Sequence, residues 1–386
     1  MRQSILREIR RFGQDKTLLL ITIVIPVVLS ALYVMMFASG TAYNLPMAVV
    51  DQDNTPTSQQ LVTMIASSPT TFTTQKSATI DQAKQSMDRG QVDAIVYIPE
   101  NFERNILGGA RAEVAVWING NYITKSSLIE RDLKTMLQAF NIGVGAQMLT
   151  AGGMSPAQAM GVAYPVVIDK HVLYNPYSSY AYYLLPGLLP LVLIIMVALT
   201  TAYVVGSEWR YGTAREWIET AGGSIARALT AKLAPYFLIF VVDGIFMSTL
   251  LYQFLGLPLE AGSIGIMMVG NIFLILSYMS LAVMFVALTS NMRFALSLSA
   301  AYTIAAFSFA GLTFPHLAMY DLIRWASNLF PMTFYMDLFI EQSIKGAPIA
   351  RSLGDIAAMG GFIILGVLFV KILKRKAMNE KYYGKL

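Results

Sequence analysis

Six apolar stretches of membrane-spanning length constrain the fold of this 386-residue chain more than any other feature. A helix needs about 20 predominantly apolar residues to cross a bilayer. The predicted spans are residues 17–39, 180–206, 233–255, 264–290, 294–314 and 353–372. Charged residues make up only 13% of the chain, against about 25% in an ordinary soluble domain. The sequence therefore predicts an α-helical membrane protein with six transmembrane helices.

Basic residues cluster on one side of the six predicted spans. They precede the first span, lie between the second and third and between the fourth and fifth, and follow the sixth, whereas the loop 256–263 contains none. By the positive-inside rule, both termini are expected in the cytoplasm. The net charge of +5 is then a topology signal that also attracts anionic membrane lipids, and nucleic acid is not expected as a partner.

Residues 40–179, between the first two spans, have the mixed composition of a water-soluble domain. Runs rich in β-branched residues predict strands at 45–53, 92–99 and 113–120. Apolar residues at helical spacing predict helices at 58–67, 81–89 and 126–148. Strands that alternate with helices predict an inserted α/β domain, and the threading of the spans makes it extracytoplasmic.

Asp51, Asp53 and Asn54 are candidates for a site in this inserted domain. Oxygen ligands of this kind suit a hard cation, but the same residues commonly form Asx turns between a strand and a helix. We favour the turn. The chain has no cysteine, and GxSxG and HExxH signatures are absent. We therefore predict no catalytic residue, metal site or cofactor site on this chain, and no enzyme.

A charged segment, SEWRYGTAREWIETA at residues 207–221, separates the second span from the third. Apolar and charged residues alternate at helical spacing, which suits a helix with its aromatic rings at headgroup depth. The pairs Gly212-Thr213 and Gly222-Gly223 are expected to break or cap this helix. Two interpretations remain open: a membrane-proximal anchor, or a device that passes force from a cytosolic machine to the spans.

Three polar or helix-breaking features lie inside the predicted spans. Asp243 sits near the middle of the third span, where an ionised carboxylate is costly unless it is paired or faces water. It either lines a substrate path or makes a buried hydrogen bond to Asn271 or Tyr278 on the next span. Pro186 and Gly187 kink the second span as plain helix geometry or as a gate, and we favour geometry.

Five tracts in this order and on this topology resemble one family of membrane proteins. They are LPMAVVDQDNTPTSQQL (45–61), GQVDAIVYIPENFERNILGG (90–109), YNPYSSYAYYLLPGLLP (174–190), SEWRYGTAREWIETA (207–221) and FPHLAMYDLIRWASNLFPMT (314–333). The chain resembles a permease subunit of the type-2 ABC exporters, in the branch with a large extracytoplasmic insert after the first span. The resemblance covers nearly the whole length.

The resemblance implies that the charged segment is a coupling helix that docks on an ATPase subunit. Glu208, Gly212, Thr213 and Glu216 match the family pattern E-x-E-x-G-T-x-x-E, whereas Arg210 stands where a second acidic residue is usual. Residues 314–333 resemble the family's re-entrant extracytoplasmic helices. Such broken helices require a packed or water-lined environment. Phe314 and Pro315 thereby join Pro186, Gly187, Asp243 and Asn271 as candidate residues of the substrate path or gate.

The resemblance also implies partners. The chain has no GxxxxGK[ST] loop, so ATP and Mg²⁺ are expected on a separate ATPase subunit. Two permease chains, as a homodimer or a heterodimer with a related permease, would export a hydrophobic or amphipathic drug, lipid or lipid-linked molecule from a bacterial inner membrane. The outer domain would suit contact with a periplasmic adaptor. The rival hypothesis is a receptor or envelope-assembly protein that transports nothing.

Overall fold

A computed structural model of the chain describes residues 2–38, 44–68, 71–165, 174–175, 179–257, 261–312 and 314–384. Parts of the predicted outer domain, of the tract 174–190 and of the loop 256–263 lie outside these described residues. The chain divides into two compact units. The helical unit comprises residues 1–40 and 173–386, and the inserted unit comprises residues 41–172.

The helical unit contains the first and last elements of the chain, and the inserted unit contains those between them. The helical unit begins with α1 (Arg2–Gln14), α2 (Lys16–Leu19) and α3 (Ile25–Met36), the last two joined by a π-helical turn at Leu20–Val24. The inserted unit contains β1 (Leu45–Asp51), α4 (Pro56–Ala66), β2 (Thr71–Lys76), α5 (Ile80–Asp88), β3 (Ala94–Ile98), α6 (Phe102–Leu107), β4 (Ala115–Ile118), α7 (Ile123–Ala151) and α8 (Pro156–Ala163). The helical unit resumes with α9 (Tyr180–Arg210), α10 (Ala214–Thr220), α11 (Ile225–Leu255), α12 (Ala261–Thr289), α13 (Met292–Phe309), α14 (Asp321–Ser327), α15 (Pro331–Phe339), α16 (Ile349–Leu368) and α17 (Val370–Ala377).

Six helical stretches among the described residues are long and apolar enough to cross a membrane. They are Lys16–Met36, Tyr180–Arg210, Ile225–Leu255, Ser263–Thr289, Met292–Phe309 and Ile349–Ala377. The prediction of six spans is confirmed at this level of length and composition. The fifth is shorter than predicted, since it ends at Phe309 and not at Phe314, because Gly311 takes φ = +76° just beyond the cap Ala310 and turns the chain away.

The second span, α9, lies at the centre of the helical unit. It packs against α3, α11, α12 and α13, and most of its side chains are buried. The first span has few buried side chains, so its outer surface is free to face lipid. The helix of the third span, α11, begins at Ile225, eight residues before the predicted span start at 233, because the hydroxyl of Ser224 caps it. This early start brings Lys232 inside the helix.

The inserted unit is built on a four-stranded sheet in the order β2-β1-β3-β4. β1 pairs in parallel with β2 and β3, whereas β3 pairs antiparallel with β4. The three predicted strands are confirmed as β1, β3 and β4, and the predicted helices as α4, α5 and α7. Three elements of the inserted unit were not predicted, namely β2, α6 and α8, since TFTTQK lacks an apolar run and FERNIL and PAQAMGVA are short.

Alternate residues of β1 and β3 supply the two cores of this sheet. Met47 and Val49 face α4 and α7 in one apolar cluster, and Ala48 and Val50 face α5 in the other. This alternation is the expected consequence of the period of two in a strand. Both faces of the sheet are therefore covered by helices, which accounts for the near-continuous apolar sequence of β1.

The turn after β1 is held by its own acidic residues. Asp51 Oδ1 accepts hydrogen bonds from the N–H groups of Asp53 and Asn54 at 3.1 Å each. Asp53 accepts from the N–H groups of Phe102 and Glu103 at 3.0 Å each, at the start of α6. Burial acts to raise the pKa of Asp53, but hydrogen bonds from the Thr55 hydroxyl and from the N–H groups at the start of α6 together outweigh it and lower the pKa below its usual value. The Asx-turn interpretation is confirmed.

Candidate functional site

The charged segment (residues 207–221) starts as the last turn of α9 and leaves that helix through a glycine turn. α9 ends at Arg210, and Gly212 takes φ = +72° two residues later. The N–H of Thr213 then donates to the carbonyl oxygen of Glu208 at 2.9 Å. A residue with a Cβ is strained in this left-handed conformation, so the turn favours glycine.

The following helix, α10, ends in a turn of the same kind. Gly222 and Gly223 take φ = +73° and +74°, and the N–H of Gly223 donates to the carbonyl oxygen of Ile218 at 2.9 Å. Ser224 then caps α11 by accepting a hydrogen bond from the N–H of Arg227. The predicted helix breaks at Gly212-Thr213 and at Gly222-Gly223 are confirmed. They separate α10, a short helix, from the long helices α9 and α11.

The inner face of α10 packs into the protein. Trp217 and Ile218 are 2% and 1% exposed, and Trp209 at the end of α9 is 2% exposed. Both tryptophans therefore belong to the apolar core of the helical unit, and the expectation that these aromatic rings lie at headgroup depth stays a prediction. Only Tyr211 among the aromatic residues of the charged segment is exposed.

The outer face of α10 is charged and exposed. Arg215, Glu216 and Glu219 all lie on it, and Arg215 Nε donates to Glu219 Oε1 at 2.9 Å across one helical turn. Arg210 is also exposed, with its guanidinium 5.6 Å from the centre of the Tyr211 ring. The charged segment therefore presents a mixed-charge surface on one side and an apolar surface on the other.

Glu208 does not belong to that outer surface. Its side chain is 2% exposed, and Lys232 Nζ lies 2.6 Å from its Oε1 atom. The same ammonium lies 2.7 Å from Glu8 Oε1, and the Lys232 side chain is 0% exposed. Arg7 Nη2 approaches Glu208 Oε1 at 2.9 Å. We call Arg7, Glu8, Glu208 and Lys232 the buried ion cluster.

The buried ion cluster joins the charged segment to three helices. It combines side chains from α1, α9 and α11, and the hydroxyl of Thr213 donates to Glu208 Oε2 just before α10 begins. The two carboxylates face Arg7 and Lys232, and Arg11 approaches Glu208 at 3.8 Å as a third cation. Removing Lys232 costs about 3–5 kcal/mol, because it leaves buried carboxylates without their shared cation. Movement of α10 is thus mechanically tied to α1, α9 and α11.

Residues near the carboxyl terminus also hold the charged segment, in addition to α1, α9 and α11. The hydroxyl of Tyr383 accepts a hydrogen bond from the N–H of Arg215 at 3.0 Å, and the N–H of Gly384 donates to the carbonyl of Trp209 at 3.1 Å. Lys374 Nζ donates to the carbonyl of Gly223 at 2.8 Å. Burial raises the pKa of the Tyr383 phenol above its usual value. The tail therefore contacts both ends of α10.

Sequence reasoning missed the partners that hold the charged segment. In the sequence, Glu8 is one acidic residue among several arginines, and Lys232 is one of the basic residues that precede the third predicted span. A single acid in a basic helix and a lysine at the start of an apolar run are signals that could have suggested a buried pair. Tyr383 and Lys374 carried no signal beyond the basic tail.

Asn271 lines a cavity between α11 and α12. The cavity has a volume of about 240 Å³, and its walls include Val241, Ile245, Met267 and Met268. Asn271 Nδ2 donates to Ser248 Oγ at 3.0 Å, and the Tyr335 hydroxyl donates to Asn271 Oδ1 at 3.1 Å. The amide is thus fixed in orientation within a mostly apolar wall, which suits an apolar molecule that presents one polar group.

Asp243 lies close by on α11 but makes neither of the expected hydrogen bonds. It is 6% exposed, and its Oδ2 atom has no hydrogen-bond partner among the described residues. Asn271 is occupied by Ser248 and Tyr335, and no hydrogen bond joins Asp243 to Tyr278 in the described part of the chain. The predicted pairing is therefore wrong, and the substrate-path role of Asp243 stays a prediction.

Pro186 and Gly187 are buried in the helix–helix contact between α9 and the end of α13. A Cβ added at Gly187 would collide with the Leu312 side chain and lie 3.1 Å from Phe307. Gly187 therefore leaves room for the Leu312 side chain to pack closely against α9, and the interpretation of Pro186 and Gly187 as plain helix geometry stays a prediction. This contact is separate from the cavity beside Asn271, so the candidate path residues do not form one site.

Phe314 and Pro315 lie in the connection between α13 and α14. Both are exposed, and Pro315 precedes a short 3₁₀ turn at His316–Ala318. The His316 Nε2–H donates a hydrogen bond to the carbonyl oxygen of Phe309 at 3.0 Å and holds this connection against the end of α13. The prediction that residues 314–333 re-enter the membrane stays a prediction.

Similarity to known proteins agrees with this arrangement. Residues 16–371 match the family described as ABC-2 family transporter protein. The chain is 22% identical over 395 aligned positions, covering 97% of each chain, to proteins from Escherichia coli strain K12 and strain O157:H7. Both relatives carry the name "Probable multidrug ABC transporter permease YbhS". Because the family match spans most of its length, the chain belongs to the ABC-2 family of transporter proteins.

Proposed function

We propose that this chain is the membrane subunit of an ATP-driven exporter and that α10 docks on its ATP-binding partner. Membership of an ABC permease family implies such a partner subunit. ATP and Mg²⁺ would bind that partner and not this chain. Both termini and the charged segment would lie in the cytoplasm of a bacterial cell, and the inserted unit would lie outside it, as the positions of the basic residues favour.

One observation carries this proposal: α10 is exposed on one face and anchored on the other. Its outer face offers Arg215, Glu216 and Glu219 to a partner, and its flanks are tied to α9 and α11 through Glu208 and Lys232. A displacement of α10 by the partner would therefore move both attached spans. Of the family's matched positions, Glu216 would make partner contacts, whereas Glu208 would position the helix from inside.

The substrate would be hydrophobic or amphipathic. The cavity of about 240 Å³ between α11 and α12 supports this, because its walls are apolar apart from the amides of Asn271 and Gln253 and the hydroxyl groups of Ser248, Thr249 and Tyr252. The relatives are named as multidrug permeases, which agrees with an adaptable apolar site. Two copies of the chain, or one copy with a related permease, would enclose the path, and the inserted unit would contact a periplasmic adaptor.

The test is retention of an ATP-binding subunit by the purified chain, with Glu216→Lys as the variant and Asp321→Lys as its matched control. Glu216 and Asp321 are both exposed acids in the first turn of a seven-residue helix, so the two changes reverse the same charge in the same kind of position. Asp321→Lys also breaks the exposed pair of Asp321 with Arg324, which contributes little to stability. We expect Glu216→Lys to lose the subunit and its ATPase activity, while Asp321→Lys retains both.

A receptor or envelope-assembly protein predicts a different result. Such a protein needs no ATP-binding partner, so the parent chain, Glu216→Lys and Asp321→Lys would all purify without an ATP-binding subunit and without ATPase activity. That outcome would overturn the exporter proposal. If the parent chain retained the subunit and both variants lost it equally, docking through α10 would be overturned while an ATP-driven function would stand.

A further inference from the structure

An open groove beside the amino-terminal helix has no role in the proposed function. It has a volume of about 780 Å³ and lies between α1, the start of α2 and the end of α9. Its walls include four cations and two tyrosines, namely Arg7, Arg10, Arg11, Lys16, Tyr203 and Tyr211. Arg7, Arg10 and Arg11 share one side of α1 because they are three and four residues apart.

The groove carries an excess of positive charge. Arg7 is balanced within the buried ion cluster, whereas Arg10 and Lys16 are exposed and have no ion-pair partner among the described residues. Arg11 donates to the Ser207 hydroxyl at 2.8 Å and stays 3.8 Å from Glu208. The surplus cations thus point to an anionic ligand.

Asp15, the carboxylate in the groove wall, is already engaged. Its Oδ2 atom accepts a hydrogen bond from the Tyr203 hydroxyl at 3.1 Å. Its Oδ1 atom accepts from the N–H groups of Thr17 and Leu18 at 3.0 and 3.3 Å, which caps α2. Asp15 therefore fixes the floor of the groove and leaves Arg10 and Lys16 free to meet a ligand.

The groove lies at the start of an exposed apolar surface. Lys16 begins the first span, and the next exposed apolar residues along that span are Leu19, Leu20 and Ile23. On α1, Leu6 and Ile9 are more than half exposed, so this helix also has an apolar surface to bury. A ligand with an anionic head and apolar chains would satisfy both surfaces together.

We propose that this groove binds an anionic phospholipid, with the phosphate beside Arg10, Arg11 and Lys16 and the acyl chains along Leu19, Leu20 and Ile23. The apolar surface that continues from Lys16 favours a lipid over a free phosphate. Because Arg11 touches Ser207 and Arg7 touches Glu208, a lipid held here would sit against the end of α9 and steady the charged segment.

The experiment measures lipid binding by native mass spectrometry of the full chain in a non-ionic detergent, with phosphatidylglycerol and phosphatidylcholine as probes. The variant is Arg10→Gln/Lys16→Gln, which spares the buried ion cluster. Each basic residue near a membrane surface contributes enough that removing both should weaken phosphatidylglycerol binding about 30-fold. Conversely, Gln14→Lys adds a cation to the same wall and should tighten binding about 5-fold, a gain that misfolding cannot produce.

The matched control is Lys371→Gln/Arg375→Gln. These two residues are exposed at the end of a different span, so the variant removes the same charge without touching the groove. We expect it to bind phosphatidylglycerol like the parent chain. Equal losses in the two double variants, or equal binding of phosphatidylcholine, would overturn the proposal. Displacement of the lipid by an equal concentration of glycerol 3-phosphate would assign the groove to a soluble phosphate and overturn it as well.

Discussion

The buried ion cluster and the outer face of α10 are both charged and both include residues of the charged segment, yet they have opposite surroundings. Glu208 and Lys232 are almost completely buried and 2.6 Å apart. Arg215 and Glu219 are more than half exposed and 2.9 Å apart. The two ion pairs have similar lengths but contribute differently to the free energy of unfolding, because water screens the second pair and is excluded from the first.

This difference assigns distinct roles to residues that a motif groups together. Charges in the cluster determine where α10 lies relative to α1, α9 and α11, so changing them should alter stability. Charges on the outer face contribute little to stability and remain available to a partner. Substitutions of buried, partly buried and exposed residues in the two regions test this division of roles.

The largest effect is expected from Lys232→Met, which leaves Glu8 and Glu208 buried without their shared cation. We expect a loss of about 3–5 kcal/mol in the free energy of unfolding. Unfolding of the purified chain in mixed micelles, followed by tryptophan fluorescence, measures it. Lys371→Met, at an exposed position, should cost less than about 1 kcal/mol.

A compensating variant checks the cause of that loss. Glu8→Gln/Glu208→Gln/Lys232→Met removes the three charges at once and should recover most of the stability, since no buried charge is left unpaired. A triple variant less stable than Lys232→Met alone would contradict the account of the cluster.

The next effect concerns the turn that separates α10 from α11. Gly222→Ala places a Cβ at φ = +73° and should destabilise the chain by about 1–2 kcal/mol. Gly13→Ala is the control, because Gly13 lies within α1 with no atom near its added Cβ, and it should stabilise by about 0.5–1 kcal/mol. The same unfolding assay compares them, and opposite signs are required.

A smaller and more local effect is expected at the tail. Tyr383→Phe removes the hydroxyl that accepts the Arg215 N–H and donates to the Ala377 carbonyl. Hydrogen exchange at the Arg215 amide should become about 5-fold faster, the equivalent of one ordinary hydrogen bond. Tyr211→Phe, an exposed tyrosine in the same segment, should leave that rate unchanged. Equal exchange rates at the Arg215 amide in both variants would contradict the claim that the carboxyl-terminal tail holds the charged segment.

The smallest effect on stability is expected from Glu219→Gln on the outer face. It breaks the exposed pair with Arg215, and we expect no resolvable change in the unfolding midpoint. Retention of the ATP-binding subunit should nevertheless fall. Glu130→Gln breaks a pair of the same spacing with Lys134 in the inserted unit and should change neither quantity. A stability loss comparable to that of Lys232→Met would erase the division between the two regions.

The sequence allowed most of the fold to be predicted, because span length and strand composition are local properties. The turns around α10 followed from Gly212 and Gly222, since few other residues accept a left-handed conformation. The early end of the fifth span was not predicted. Apolar residues continue to Phe314, and Gly311 alone gave too weak a signal against that run.

The site was predictable only in part, because burial depends on distant partners. Glu208 matched the family pattern, but its cation lies 24 residues away and the second carboxylate on that cation lies 224 residues from it. No local pattern relates residues at such separations. Asp243 illustrates the same limit, since Asn271 and Tyr278 were plausible partners by span position, whereas Ser248 and Tyr335 occupy Asn271.

The most direct measurement of the central claim is site-specific cross-linking from α10, which the absence of cysteine in this chain makes simple. Glu216→Cys and Asp321→Cys would each be labelled with a photoactivatable thiol reagent in native membranes, and the adducts identified by mass spectrometry. The account predicts that Glu216→Cys cross-links to an ATP-binding subunit and that Asp321→Cys does not. Cross-links to that subunit from Asp321→Cys alone, or from neither position, would contradict it.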